Sequence, residues 1–190
     1  MKNAILTALM TTAIMGTAFA SSFSPAFSGV YIGGGFNYTN EKVKSNGGDN
    51  VSLSGGGIKG FLGIGSVFFE GLYLGGEVGI GYDQIFRNKK KSGVKDNKTN
   101  YVMAARVGYA INTYLPFIKF GYEGRAKSGS IRRSGVLAGG GVDIALTKNV
   151  FVRLEYDHKF GSKSAVMING RQLSFRDRAD TFFLGAGYRY

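Results

Sequence analysis

Few residue types in this chain are able to do chemistry. His158 is the one histidine and there is no cysteine. A histidine can serve as general base to a hydroxyl, and Ser162 and Ser164 follow closely. Such a pair also needs a third group to orient the imidazole and a pocket for the substrate. The neighbours Lys159 and Phe160 supply neither, so no catalytic residue is assigned and the chain is read as no enzyme. Metal binding needs clustered histidine, cysteine or carboxylate ligands, and no metal site is assigned. Gly55-Gly56-Gly57-Ile58-Lys59-Gly60 fits the spacing of a dinucleotide-binding glycine loop. That loop works between a strand and a helix, whose N-terminus meets the pyrophosphate. Here a strand pattern follows it, so no cofactor is expected. The glycines of this run, with Gly33–Gly35 and Gly139–Gly141, are read as relief of crowding on tightly curved strands.

What remains is electrostatic chemistry, in a chain of formal net charge +12. Which charges meet depends on the elements that carry them. Met1-Lys2-Asn3 followed by an apolar stretch from Ala4 to Met15, closing on Thr17-Ala18-Phe19-Ala20, reads as a signal peptide cleaved after Ala20. Residues 21–190 then form one domain, with no linker or shift of composition inside it. An exported chain without cysteine has no disulfide framework, and with none after the cut it is no lipid-anchored protein. Mean hydropathy is near zero, and no apolar run after the signal reaches the length of a membrane helix. The one other way to satisfy every backbone group in a bilayer is a closed sheet.

Period-two alternation marks eight segments, near Val30–Tyr38, Gly56–Ile64, Leu72–Tyr82, Tyr101–Tyr109, Phe117–Arg125, Val136–Leu146, Val150–Asp157 and Thr181–Tyr190. The connections between them alternate long and short, the rhythm of outer loops and periplasmic turns in a membrane barrel. One register is free of charge: Leu72, Leu74, Gly76, Val78, Ile80 and Tyr82 on the third segment, Tyr101, Met103, Ala105, Val107 and Tyr109 on the fourth. The same parity continues with Ile118, Phe120 and Tyr122, then Val152, Leu154 and Tyr156, then Phe182, Leu184, Ala186, Tyr188 and Tyr190. The opposite register collects Lys59, Glu77, Arg106, Lys119, Glu123, Arg125, Asp143, Arg153, Glu155, Asp157 and Arg189. A soluble barrel has the reverse polarity, apolar within and polar without. The fold expected is therefore all-β, an eight-stranded antiparallel transmembrane up-and-down β-barrel. Its interior would be a plug of paired charge, because a barrel of eight strands is just wide enough for side chains to fill it.

Tyr38, Tyr82, Tyr101 and Tyr156 fall at the outer strand ends, Tyr109 and Tyr190 at the inner ones, where aromatic girdles sit. The opening Gly29-Val-Tyr-Ile-Gly-Gly-Gly-Phe-Asn-Tyr38 and the closing Phe182-Phe-Leu-Gly-Ala-Gly-Tyr-Arg-Tyr190 resemble those of the small porin-like outer-membrane β-barrel proteins. These are relatives of the OmpA transmembrane domain and of alphaproteobacterial surface antigens. The resemblance implies the outer membrane of a Gram-negative bacterium. It also implies a last strand read by the outer-membrane assembly machinery, with Phe182, Tyr188 and Tyr190 in the aromatic places. The family's usual last residue is Phe, where this chain has Tyr190. Outer-membrane lipases of this architecture carry a His-x-Ser arrangement, which His158-Lys159-Phe160 lacks.

The outer loops carry most of the net charge. The first is neutral, with Lys42 and Lys44 against Glu41 and Asp49. The second sets Arg87, Lys89, Lys90, Lys91, Lys95 and Lys98 against Asp83 and Asp96. The third holds Lys127, Arg132 and Arg133, and the fourth sets Lys159, Lys163, Arg171, Arg176 and Arg178 against Asp177 and Asp180. A field of that sign attracts polyanions. The expected partners are outer-membrane lipid and the phosphates of lipopolysaccharide. A sharper expectation is adhesion to polyanionic host glycans through Lys89, Lys90, Lys91, Arg132 and Arg133. No nucleic-acid-binding module is recognisable, so no nucleic acid is expected. The function expected is that of a monomeric, non-enzymatic surface protein contributing to envelope integrity. A small channel and an outer-leaflet lipid enzyme stand as alternatives, separated from it by conductance and by whether a serine meets His158.

Overall fold

The computed structural model describes residues 25–45, 50–87, 96–126, 133–161, 164–168 and 171–190. The described residues form nine strands: β1 (Gly29–Ser45), β2 (Asn50–Phe68), β3 (Leu72–Arg87), β4 (Asp96–Tyr109), β5 (Tyr114–Ala126), β6 (Arg133–Ala145), β7 (Val150–Gly161), β8 (Ser164–Ile168) and β9 (Arg171–Arg189). Eight of them form the barrel. Each pairs antiparallel with its neighbour, and β9 closes the sheet on β1 from Tyr31↔Arg189 to Ser45↔Phe175. The ninth, β8, pairs only with the start of β9, as a hairpin rising from the outer end. Closure leaves the barrel strands without a free edge, which is what a bilayer demands of a sheet. No helix among the described residues is long and apolar enough to cross a membrane.

The inner strand ends fall within four residues of the positions that alternation marks. The outer ends of β5, β6 and β7 do so too, but those of the other barrel strands do not. β1 continues to Ser45, β2 begins at Asn50, and β9 begins at Arg171, well before Thr181. Beyond the head groups a ladder needs only backbone partners, so pairing runs on through polar sequence that carries no alternation. β8 was missed for the same reason, in a stretch expected to be loop.

Tight turns close the inner end. Asn112 (φ 52°) and Gly71 (φ 116°) take the left-handed backbone that the 110–113 and 69–71 turns require, and both residue types tolerate it. Between β6 and β7 the Thr147 hydroxyl accepts from the backbone N–H of Asn149 and of Val150, at 3.2 and 3.0 Å. Asn149 then ties the turn to the last strand, donating its side-chain amide to the Arg189 carbonyl at 2.7 Å.

The outward register is the apolar one. Leu72, Leu74, Val78, Ile80, Met103, Val107, Ile118, Phe120, Leu154, Phe182 and Leu184 are all exposed on the barrel wall. The inward register is mostly polar, save for a few aliphatic side chains such as Val102 and Leu137 and for aromatic rings that have glycine opposite them. The Tyr31 ring lies over Gly63 and the Tyr73 ring over Gly65, where a Cβ would collide with the ring.

Candidate functional site

The strand pleat sends alternate side chains into a narrow cylinder, and they meet there in tiers. In the inner tier Arg153 of β7 reaches Asp143 of β6 with Nε at 2.7 Å and Nη2 at 3.0 Å, and donates Nη1 to Glu77 of β3. Arg106 of β4 donates Nη2 to the same Asp143 at 2.9 Å and Nη1 to the Tyr31 hydroxyl at 3.0 Å. That hydroxyl donates onward to Glu77 at 3.1 Å. Two guanidinium groups thus alternate with two carboxylates, the arrangement that lets charge persist away from water. Aromatic faces complete the packing: the Arg106 guanidinium lies 3.7 Å from the Phe117 ring centre, and that of Arg153 lies 4.2 Å from Phe61. Phe61 belongs to a buried cluster with Tyr31, Phe151 and Phe183.

The next tier outward reverses the geometry, with both acids on one strand. Glu155 and Asp157 are successive inward positions of β7, and Lys59 and Lys119 reach them from β2 and β5. Lys59 meets Glu155 at 2.7 Å, and Lys119 meets Glu155 at 2.6 Å and Asp157 at 2.7 Å. Above them Lys159 pairs with Glu123 at 3.2 Å. Asp83 accepts from Asn37 at 2.6 Å and Asn100 at 2.9 Å.

The inner mouth is closed by different means. Pro25–Phe27 forms a short 3-10 turn that folds under the barrel. Phe27 is fully buried there among Val67, Tyr73, Ala110 and Leu115. Ser28 fixes the entry, its hydroxyl accepting from the Val67 N–H at 3.0 Å. Arg189 donates to the Ala26 carbonyl at 3.0 Å, with its guanidinium set among the rings of Phe27, Tyr31 and Phe151. The described buried charges number six basic and seven acidic residues, so the interior is close to neutral.

A family model, outer membrane protein beta-barrel domain, matches residues 4–190. The chain belongs to that family. The outer-membrane barrel resembles the 25 kDa outer-membrane immunogenic protein of Brucella melitensis, 27% identical over 179 residues, 89% of this chain and 80% of the relative. Among solved structures it resembles Ail, the attachment invasion locus protein of Yersinia pestis, with TM-score 0.45 and 16% identity over 86% of this chain and 99% of that one. It also resembles the outer membrane protein OprG of Pseudomonas aeruginosa, with TM-score 0.48 and 12% identity over 89% of this chain and 99% of that one. The protein resides in the cell outer membrane, as an outer-membrane β-barrel surface protein.

Of the residues expected in the lumen, the outer-membrane barrel buries Lys59, Glu77, Arg106, Lys119, Glu123, Asp143, Arg153, Glu155, Asp157 and Arg189. Arg125 is placed by its backbone opposite Arg133, and the side chains of both lie outside the described set. Lys89, Lys90, Lys91 and Arg132 lie outside the described residues. Three charges assigned to the loops prove to be lumenal: Glu41, Asp83 and Lys159 are each almost wholly buried. Their parity gave the signal, since each continues the inward register of its strand past the aromatic girdle. The Phe27 cap carried no sequence signal.

Phe182 and Tyr188 occupy the outward face of β9 and Tyr190 follows its end, exposed, with the Tyr188 and Tyr190 rings 4.9 Å apart. His158 also takes the outward register, with its Nδ1 2.7 Å from an Asp180 oxygen. Asp180 orients the imidazole, yet among the described residues no serine hydroxyl is bonded to it. Ser162 lies outside the described residues, as does the side chain of Ser164.

Proposed function

We propose that this outer-membrane barrel is a non-enzymatic surface protein, a closed post that contributes to envelope integrity and carries basic loops toward polyanions outside the cell. The observation that supports it is the filled lumen. Two tiers of paired charge span the cylinder, and Phe27 with its apolar neighbours stops the inner mouth. Ions cannot pass a network whose charges already hold one another in short hydrogen bonds without breaking those bonds. Recording from the refolded protein in a planar bilayer tests this. Brief, rare openings or none are expected, and a large, steady conductance would replace the post with a channel.

The outward face of the function lies in the loops, whose summed charge is strongly positive. Heparin is a suitable probe of polyanion binding. The protein is expected to be retained on a heparin column at low salt. Replacing Lys89, Lys90, Lys91, Arg132 and Arg133 by glutamine is expected to abolish retention. Unchanged retention of that variant would remove the adhesive part of the proposal and leave the architectural part standing.

A further inference from the structure

Among the described residues β8 alone stands outside the barrel wall, and one of its edges is paired. Phe175 of β9 pairs with Ser45 of β1 on one side and with Ser164 of β8 on the other. β8 therefore takes up the edge of β9 that β7 leaves at Arg178. The next strand round is β6, and its ladder with β7 reaches only to Gly135↔Gly161. β8 lies past that end, so its second edge presents backbone N–H and C=O groups above the barrel. Natural sheets blunt such an edge with charge or proline. The five residues Ser164-Ala165-Val166-Met167-Ile168 include neither, and valine and isoleucine favour the extended backbone.

The edge stands clear of the lipid. Asn40, Asp180 and His158 face one another across β1, β9 and β7 and form a polar row above the apolar wall, where head groups begin. Leu173, the partner of Val166, lies seven residues beyond Asp180. At about 3.3 Å per residue and a tilt of about 40°, that is roughly 17 Å in height. Strand direction then restricts what can add to the edge. β8 runs outward in every copy, so an antiparallel partner must run toward the membrane. A second β8 in the same membrane never does. The start of a neighbour's β9 does, but joining hairpin to hairpin sets two barrels only two strand spacings apart, about 10 Å. Eight strands closed into a cylinder are wider than that. A β8 from a facing membrane meets both conditions: it runs the opposite way, and its barrel lies on the far side.

We propose that β8 pairs antiparallel with β8 of a second copy in a facing membrane, joining two outer membranes through a four-stranded sheet. Full overlap of the five-residue segment puts Val166 at the two-fold axis, opposite Val166 of the other copy. One such ladder is weak, and many copies on two surfaces act together. The pairing goes beyond the function proposed above and uses neither the closed lumen nor the affinity of basic loops for polyanions. Those loops repel between like copies and oppose it, which gives its salt dependence a sign of its own.

The refolded protein in phosphatidylcholine vesicles tests it, since that lipid offers no polyanion to bridge the loops. Vesicles whose hairpins an external protease reaches are expected to cluster, read by light scattering. Electron cryomicroscopy is expected to show a gap of about 35 Å between the facing head-group rows. Rising salt screens the like-charged loops and is expected to increase clustering, whereas it weakens retention on heparin. Val166→Lys and Val166→Glu each set like charges opposite each other in the self-paired register, and each is expected to lose clustering. Mixing vesicles of the two variants is expected to restore it, because opposite charges then face each other. Folding of each variant is checked by its heat-dependent gel migration. No clustering by the parent protein, clustering that survives in both variants alone, or a mixture that clusters no better than either would each overturn the proposal. None of these outcomes bears on conductance or heparin retention.

Discussion

Asp143 is the residue on which the inner tier turns. Its two oxygens take three hydrogen bonds from Arg106 and Arg153, and its side chain is wholly buried. Removing its charge would leave the two guanidinium groups with Glu77 between them and Glu155 3.8 Å from Arg153. Breaking a buried pair by removing one partner costs about 3–5 kcal/mol, most of it the penalty of the charge left behind. Asp143→Asn keeps the shape and removes the charge, so it isolates that penalty. A fall in unfolding free energy of that size, seen as a lower urea midpoint, is expected for the refolded barrel in micelles. Circular dichroism or tyrosine fluorescence would follow it, as the chain has no tryptophan. An unchanged midpoint would mean that water reaches the tier and carries the charge instead.

At the scale of elements, what the sequence made legible follows from where the environment constrains it. Inside the bilayer a strand position either meets lipid or meets the lumen, and a charge on the lipid side costs about 2–4 kcal/mol at the midplane. That penalty writes the alternation into the residues, so β3, β4 and the inner ends of all eight barrel strands could be read directly. Past the girdle neither side of the sheet excludes charge, and the pattern fades while pairing continues. Glu41, Asp83 and Lys159 were misplaced in that zone although they keep the inward parity. The inner cap was illegible for another reason. Phe27 precedes β1 in a stretch without period, and its partners Val67, Tyr73 and Leu115 come together only when the sheet closes. A buried Phe→Ala change costs about 3–5 kcal/mol where the site cannot collapse. Phe27→Ala is therefore expected to lower the thermal midpoint measurably. Conductance is expected to stay low, because the charged tiers above remain in place. A variant of unchanged stability would show that the cap is an ornament of the mouth.

For the whole molecule, stability and display are separated along the axis. The apolar wall, both ionic tiers and the cap lie below the row of Asn40, Asp180 and His158, whereas the long outer hairpins carry polar, basic sequence above it. Exposed hairpin tips pack against little and tolerate shortening. Replacing residues 162–174, which include β8 and the start of β9, by a two-residue Asn-Gly turn should therefore leave the barrel intact. The expected outcome is an unchanged thermal midpoint and an unchanged heat-dependent gel shift. Heparin retention is also expected to survive, at slightly lower eluting salt, because the change removes Lys163 and Arg171 and leaves the basic second and third loops in place. Retention should weaken for both proteins as ionic strength rises, since at 0.1 M salt exposed charges are screened beyond about 10 Å. A large loss of stability would place part of the fold's cohesion in the β8–β9 hairpin. The post and the surface it displays would then be one cooperative unit.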